Sequence, residues 1–369
     1  MTFGRWPIAK SCLGSHRKQY KITRLSAGSR LSLAWWLEAE KREPKAELRK
    51  PRYSDFLPLP EKSLIARIRR IAGRNTAVVA GIGDDCAVLR VPAGHELLVT
   101  TDFTLEGVHF LREWHPPEVV GRRCLVRGLS DIAAMGGEPL AAFLSVALPP
   151  KTPQRWVDRF FRGLLELADE YRVPLAGGDT AQSPSGIQAD IVATGSVPRG
   201  KAVLRSGARP GDWIYVSGEL GSSAAAIQNL RSGTARSADY RWHFHPSPRI
   251  EIGKWLRKRG LPSAMIDISD GLSTDLAHIC EESRVAAEIE AEAIPRAAVG
   301  RPVRRVSLDL ALHGGDDYEL LFTSSRKIPA KVAGVPITRI GRILRGRGIV
   351  LVEAGKRKQL RPQGWEHFR

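Results

Sequence analysis

From about residue 57 onward, short apolar runs of strand length alternate with longer helical patterns, an order that few architectures accommodate. The first strand-length runs are "TAVVAGIG", "AVLRV", "ELLVTTD", "AAFLSVALP" and "IQADIVATGSV". A second round brings "WIYVSGELG", "SAMIDISD", "YELLFTS", "ITRIGRIL" and "GIVLVEA". Among the helical patterns, "EKSLIARIRRIAG" sets Leu64, Ile65, Ile68 and Ile71 at helical spacing and ends at Gly73. "PPEVVGRRCLVRGLSDIAAMGG" starts on proline and stops at Gly136, while "TPQRWVDRFFRGLLELADEYRV" turns Trp156, Phe160, Leu164 and Leu165 to one face. Around 198–212 the chain is dense in glycine, proline and basic residues, which marks a domain boundary. The expectation is an α/β protein with mixed, α+β-like sheets in two domains, 57–200 and 201–369.

The chain has 369 residues, enough for two cores. No stretch reaches the roughly 18 apolar residues of a membrane helix, so no membrane span is expected. Cys12, Cys86, Cys124 and Cys280 are far apart and form no CxxC, which reads as reduced, mostly buried thiols of a cytoplasmic protein. Lys and Arg number 57 against 39 Asp and Glu, a net charge of +18. Residues 1–60 alone carry +8, in a basic stretch with few apolar residues at core spacing apart from "LSLAWWL". Residues 1–56 read as a disordered extension. Its first thirty residues hold no acid, as in a transit peptide, but the favoured reading is the blander one, a tail without function or an over-extended start.

Against that basic background, "GIGDDCAVL" sets Asp84 and Asp85 side by side with no basic residue nearer than Arg90. Adjacent carboxylates repel, and partial burial makes their ionised forms costlier still. Other aspartates end apolar runs: Asp102 in "LLVTTDF", Asp179 in "LAGGDTA", and Asp267 and Asp270 in "MIDISDG". Asp131 lies toward the end of a predicted helix, where the dipole opposes it. Singly, each has a plain explanation: Asp270 before "GLSTDL" suits an N-cap, and Asp-Asp beside glycine suits a turn. Together they suggest carboxylates converging on hard divalent cations, with Thr100 and Thr101 adding oxygens. A metal, not a Lys or Arg, would then neutralise Asp84 and Asp85. "LAGGDTAQ" reads as a Gly-Gly turn whose backbone N–H groups approach a phosphate, and Arg205 can clamp phosphate oxygens. No P-loop and no kinase-type H-R-D or D-F-G occurs. His243 and His245 form an HxH without further ligands nearby and read as structural. The residues alone reach Mg-dependent phosphate chemistry and stop there.

Ten strings in order resemble the thiamine-monophosphate kinase family: "SLIARI", "GIGDDCAVL", "TTDFTLEGVHF", "LSDIAAMGGEP", "AGGDT", "LRSGARPGDWIYVSG", "PSPRI", "IDISDGLSTDLAHI", "GGDDYELLF" and "GWEHF". They cover roughly residues 60–369. The resemblance implies a two-domain fold like that of aminoimidazole-ribonucleotide synthetase, with the N-terminal domain forming a dimer interface through its sheet and ATP and metals in a cleft. It also implies ATP-dependent conversion of thiamine monophosphate to thiamine diphosphate by a homodimer. Carried over by position, Asp85, Thr100, Thr101, Asp102, Asp131, Asp179, Asp267 and Asp270 are implied Mg²⁺ ligands, with Asp84 in a supporting role. Gly178, Asp179, Arg205 and Ser269 are implied ATP contacts, Asp131 and Arg205 the catalytic pair, and His109, Asp316 and Trp365 the acceptor contacts. An aromatic face suits a cationic thiazolium, although Trp365 equally suits a C-terminal hydrophobic anchor.

Two departures stand out. Many members have Gly-Gly-Glu-Asp where this chain has Gly-Gly-Asp-Asp at 314–317, so Asp316 keeps the charge but loses one methylene of reach. The basic extension is the other. Within the wider superfamily, a selenophosphate synthetase would need a Cys or equivalent in a glycine-rich N-terminal segment. A hydrogenase-maturation protein would need a C-terminal cysteine, where this chain reads "GWEHFR". A nucleic-acid-binding role, suggested by the charge, is disfavoured because the aspartate-rich motifs would repel phosphate without metal.

Overall fold

The computed structural model describes residues 60–233 and 236–368. The extension read over 1–56, Cys12 included, lies outside them. The first helix, α1 (Glu61–Ile71), buries Leu64 and Ile68 but leaves Ile65 and Ile71 exposed, so only half of the expected stripe meets the core. Short strands β1 (Val78–Ala80) and β2 (Val88–Leu89) pair antiparallel and frame the loop that carries Asp84 and Asp85.

A four-stranded sheet follows, from β3 (His95–Leu105), β4 (Glu138–Leu148), β5 (Leu175–Gln182) and β6 (Gln188–Pro198), in the order β3-β6-β4-β5. Helix α2 (Pro117–Ala134) connects β3 to β4. The β4–β5 pair is parallel and needs a crossover, which α3 (Gln154–Glu170) supplies. Alternation along β3 turns Leu98 and Thr104 inward and leaves Leu97, Val99 and Phe103 exposed on the opposite face. Fourteen of the eighteen residues of α2 are buried, because the sheet lies on one side and further elements on the others. Helices α2 and α3 cross at backbone contact. A Cβ on Gly121 would lie 1.9 Å from the Phe160 carbonyl oxygen, and one on Gly163 would lie 1.9 Å from that of Glu118. Only glycine permits that approach.

Past residue 212 the chain builds β7 (Trp213–Ser217), α4 (Ser222–Arg231), the single turn α5 (Arg241–Phe244) and α6 (Ile250–Lys258). Next come β8 (Ala264–Ile268), α7 (Leu272–Ser283), β9 (Ala286–Glu290), the pair β10 (Ala298–Val299) and β11 (Arg304–Arg305), and α8 (Leu308–His313). The last strands are β12 (Glu319–Ser324), β13 (Lys331–Val332), β14 (Val335–Leu344), β15 (Gly348–Glu353) and β16 (Lys356–Leu360). They form an eight-stranded sheet in the order β16-β15-β9-β14-β7-β12-β8, with β13 paired to β14; only β9–β15 is parallel. Every residue of β8 is buried although it is an edge strand, because α2 and α7 pack against it. Helix α2 is thus shared by the two sheets, as the expected mixed α/β architecture requires.

Candidate active site

Spaced four residues apart, Arg123, Arg127 and Asp131 share one face of α2. Asp131 stands in the last turn, as expected, and that turn contains no basic residue to complement the dipole. Thr100 on β3 donates its hydroxyl hydrogen bond to Asp131 Oδ2, and Ser130 Oγ donates to Asp267 Oδ2 on β8 at 2.6 Å. Arg205, in the segment after β6, lines the same cleft of about 490 Å³ as Thr100, Asp131, Asp267 and Glu282. Burial raises the pKa of Asp131. It also pushes Asp267 up to about 7, with repulsion from Asp131 adding to it. Asp102 rises to about 6 through burial, against the pull of Arg127. Among the described residues no Lys or Arg forms an ion pair with Asp131 or Asp267. A set of buried and half-buried, mutually repelling oxygen donors is the environment a hard divalent cation stabilises, so these residues fit Mg²⁺.

The carboxylate of Asp316 is treated differently. Its Oδ2 accepts from Arg123 Nη2 at 2.6 Å, and its Oδ1 accepts from Arg127 Nη2 at 3.1 Å and from the Tyr318 hydroxyl at 2.6 Å. Burial alone would raise its pKa, but Arg127 and Arg123 outweigh it and hold the group well below the usual carboxylate range. Asp316 and Tyr318 both adopt positive φ, 64° and 54°, so these contacts anchor a turn that is costly for non-glycine residues. Its neighbour Asp317 accepts from backbone: Oδ2 bonds Gly221 N at 2.7 Å at the start of α4.

A string of aromatic rings joins the other two acceptor candidates. His109 and His367 meet edge-on with centroids 5.8 Å apart, and His367 meets Trp365 in the same way at 5.6 Å. The Nδ1 of His109 accepts the Leu105 N–H at 3.0 Å, and burial, followed by Arg127, drops its pKa to about 4, so the ring is neutral. Trp365 is 51% exposed, which removes the hydrophobic-anchor explanation for its ring; its backbone N–H instead bonds the Asp270 carbonyl at 3.0 Å. Ser269 uses its carbonyl to accept from Asp316 N at 2.8 Å. Asp270 is not the N-cap; Gly271 occupies that position without a side-chain bond. Asp275, one turn into α7, caps the entry instead by accepting from the N–H groups of Asp270 and Gly271. Asp270, Asp275 and His278 bring ligand atoms within 4.8 Å of one another.

Asp84, Asp85, Gly178 and Asp179 line a second groove of about 310 Å³, between the 81–87 loop and β5, which shares no residue with the first. Here the sequence expectation fails in detail. "LAGGDTAQ" is a continuous strand, not a turn. Gly178 sits at φ +143°, and a Cβ there would lie 1.8 Å from the Leu144 carbonyl oxygen, so glycine lets two strands close rather than letting a chain reverse. Thr100, Thr101, Asp102 and Asp179 likewise lie within strands rather than at strand ends. Alternation on β3 sends the Thr101 side chain to the exposed face, away from Asp131. The eight expected metal ligands are therefore distributed: Thr100, Asp102, Asp131 and Asp267 come together, Asp85 and Asp179 share the second groove, Asp270 pairs with Asp275 and His278, and the Thr101 side chain belongs to none of the three. Sequence reasoning missed Arg123, Arg127, Ser130, Asp275, Tyr318 and His367; the four-residue spacing of the two arginines with Asp131 was the available signal.

Residues 83–197 match the N-terminal domain of AIR synthase related protein, and residues 209–361 match its C-terminal domain. The thiamine-monophosphate kinase of Escherichia coli (strain K12) is 40% identical over 325 residues, covering 84% of this chain and 98% of that protein. The crystal structure of thiamine-monophosphate kinase from Stenotrophomonas maltophilia K279a superposes with a TM-score of 0.71 at 36% identity, covering 80% of this chain and 97% of that one. AaThiL complexed with AMPPCP and TMP gives a TM-score of 0.67 at 33% identity, over 83% of this chain and 96% of that one. With both domains matched and the full length of such relatives spanned, the chain belongs to the thiamine-monophosphate kinase family.

Proposed function

We propose that this kinase transfers the γ-phosphoryl group of ATP to thiamine monophosphate, giving thiamine diphosphate and ADP, by direct in-line attack of a phosphate oxygen. The observation that carries the reading is the cleft in which half-buried Asp131 and buried Asp267 face Arg205 with no ion pair to Lys or Arg among the described residues. Several Mg²⁺ ions would be held by Thr100, Asp102, Asp131 and Asp267, and by Asp85, Asp179, Asp270 and the backbone oxygen of Thr101. Their chemistry is neutralisation of phosphate charge. Arg205 clamps phosphate oxygens with its fork of donors, and Gly178, Asp179 and Ser269 contact the nucleotide. The exposed ring of Trp365 offers a face to the cationic thiazolium, with His367 between it and neutral His109. A phosphate nucleophile is already ionised near neutral pH, so no side chain need act as base or become phosphorylated.

The outer face of β3, with Leu97, Val99 and Phe103 exposed, supports pairing of the N-terminal sheets in a homodimer. No described helix is long and apolar enough to cross a membrane, which accords with a cytoplasmic site of action. We assign 57–200 to nucleotide and metal binding and dimerisation, and 201–369 to the second domain. The decisive experiment mixes the purified protein with ATP, Mg²⁺ and thiamine monophosphate, with free thiamine and no acceptor as controls. Thiamine diphosphate formed only from the monophosphate, and lost on chelation, is the expected result. ATP binding without product would send the search to another acceptor.

A further inference from the structure

One buried cation serves two carboxylates from different parts of the chain. Arg127 Nη1 lies 3.6 Å from Asp102 Oδ1 on β3, and its Nη2 lies 3.1 Å from Asp316 Oδ1 on the turn leading into β12. The side chain is 11% exposed. Among the described residues Arg127 is the one ion-pair partner of Asp102, whereas Asp316 has Arg123 and Tyr318 as well. A guanidinium is a planar fork with fixed angles, so with one arm hydrogen-bonded to Asp316 its other arm meets Asp102 as an ion pair from a set direction, which a point charge on a flexible stem does not do. Asp316 in turn enters this fork from a turn whose backbone carries two positive φ values at non-glycine residues, an arrangement that depends on its anchoring contacts.

We propose that Arg127 is a positioning residue: its fork fixes Asp102 against Asp316, so that Asp102 is oriented for a divalent cation only while the 314–318 turn is docked on α2. The proposal rests on the reading of Asp102 as a cation ligand. It also gives Asp316 a framing role around the acceptor, since three of the roughly four hydrogen bonds a carboxylate can accept are already made within the chain.

The sign of one measurement separates this from plain electrostatics. As a bare positive charge, Arg127 would repel a cation, and its removal would tighten cation binding. As a positioning residue, its removal loosens it. Mn²⁺ binding to the full chain, followed by electron paramagnetic resonance, is compared for wild type, Arg127→Met, Arg127→Lys and Asp316→Asn. Arg127→Met is expected to weaken Mn²⁺ binding about tenfold, as loss of a ligand-orienting partner does, with Lys restoring only part of it. Asp316→Asn is expected to weaken it too, and the Arg127→Met/Asp316→Asn double variant no further than the worse single one. Unchanged or tighter Mn²⁺ binding in Arg127→Met, or additive losses in the double variant, would overturn the proposal. Should Arg127→Met fail to fold, the Lys and Asp316→Asn variants decide alone: both must weaken binding. Phosphorylation of thiamine monophosphate is assayed in parallel. Its absence alongside the expected Mn²⁺ pattern would reject the acceptor and leave the role of Arg127 standing.

Discussion

Glu319 and Asp267 stand on the paired strands β12 and β8, buried to 4% and 3% exposure, yet the chain handles them in opposite ways. Glu319 is closed off from within. Arg249 Nε donates to its Oε2 at 2.7 Å, Arg249 Nη2 bonds its Oε1, and Ser217 donates to Oε2 at 2.5 Å. Asp267 receives the hydroxyl of Ser130 and repulsion from Asp131, with Arg205 across the cleft rather than in contact. One carboxylate has its counter-charge a few ångströms away, and the other has no ion pair among the described residues. The same contrast repeats one step out, between Asp316 in its cage of arginines and Asp131 against Thr100. The difference separates carboxylates neutralised within the fold from those the proposed reading gives to a ligand.

The sharpest way to break that distinction is to remove the internal counter-charge. Arg249→Met strands Glu319 in the core and is expected to cost about 3–5 kcal/mol in urea unfolding. A loss under about 1 kcal/mol would mean that Glu319 also looks elsewhere for its cation. At the other carboxylate the balance reverses. Asp131→Asn should leave stability nearly unchanged, or improve it, while kcat falls on the order of 10²-fold or more, as when one electrostatic stabiliser is removed. Turnover at the wild-type level would take Asp131 out of the site.

A third test concerns buried polar groups that need no counter-charge. His115 Nε2 and His243 Nε2 lie 2.9 Å apart, so one ring must accept from the other, and a second proton would set N–H against N–H. Burial, then Arg123, lowers His115 to about 4 and His243 well below its ordinary value. The unfolded chain therefore binds protons that the folded one refuses, and stability falls as pH drops below the ordinary histidine value of about 6.5 toward 4. His115 alone should contribute a loss of about 2 kcal/mol at pH 5 relative to pH 7, and His115→Gln should flatten that part of the profile. A wild-type urea midpoint that does not move over this range would contradict the neutral pair. The smallest effect is expected at the exposed ring. Trp365→Leu should raise KM for thiamine monophosphate a few-fold, about 0.5–1 kcal/mol, with kcat nearly intact. An equal loss in kcat would place the ring at the transferring phosphate instead.

Much of this was legible in the sequence, and what was not has identifiable causes. The apolar runs located β4, β6, β7 and β12, because a buried strand needs little beyond apolar side chains of the right length. The runs near the start shrank to three and two residues, β1 and β2, where the chain bends around the aspartate loop. Gly177 and Gly178 misled because glycine serves reversal and close approach equally, and only the position of Leu144 decides between them. The acidic site residues were visible as a recurrent context, since aspartate is rare in buried strands. Arg123 and Arg127 were passed over, because among 57 basic residues their four-residue spacing with Asp131 gains meaning only when Asp316 arrives from nearly two hundred positions away.

The bare crossing of α2 and α3 sets the tolerance to which the cleft can be machined. Ten residues separate Gly121 from Asp131, about 15 Å along a helix. With carbonyl oxygens resting where a Cβ would be, α2 is seated on α3 with no compressible side chain between them. A methyl group at Gly121 would act like grit under one end of a rigid rod, tilting the far end where Asp131 meets Thr100. A displacement of about 1 Å there is enough to slow phosphoryl transfer some hundredfold. The accuracy of the candidate site is in that sense built at a joint outside the cleft's own lining.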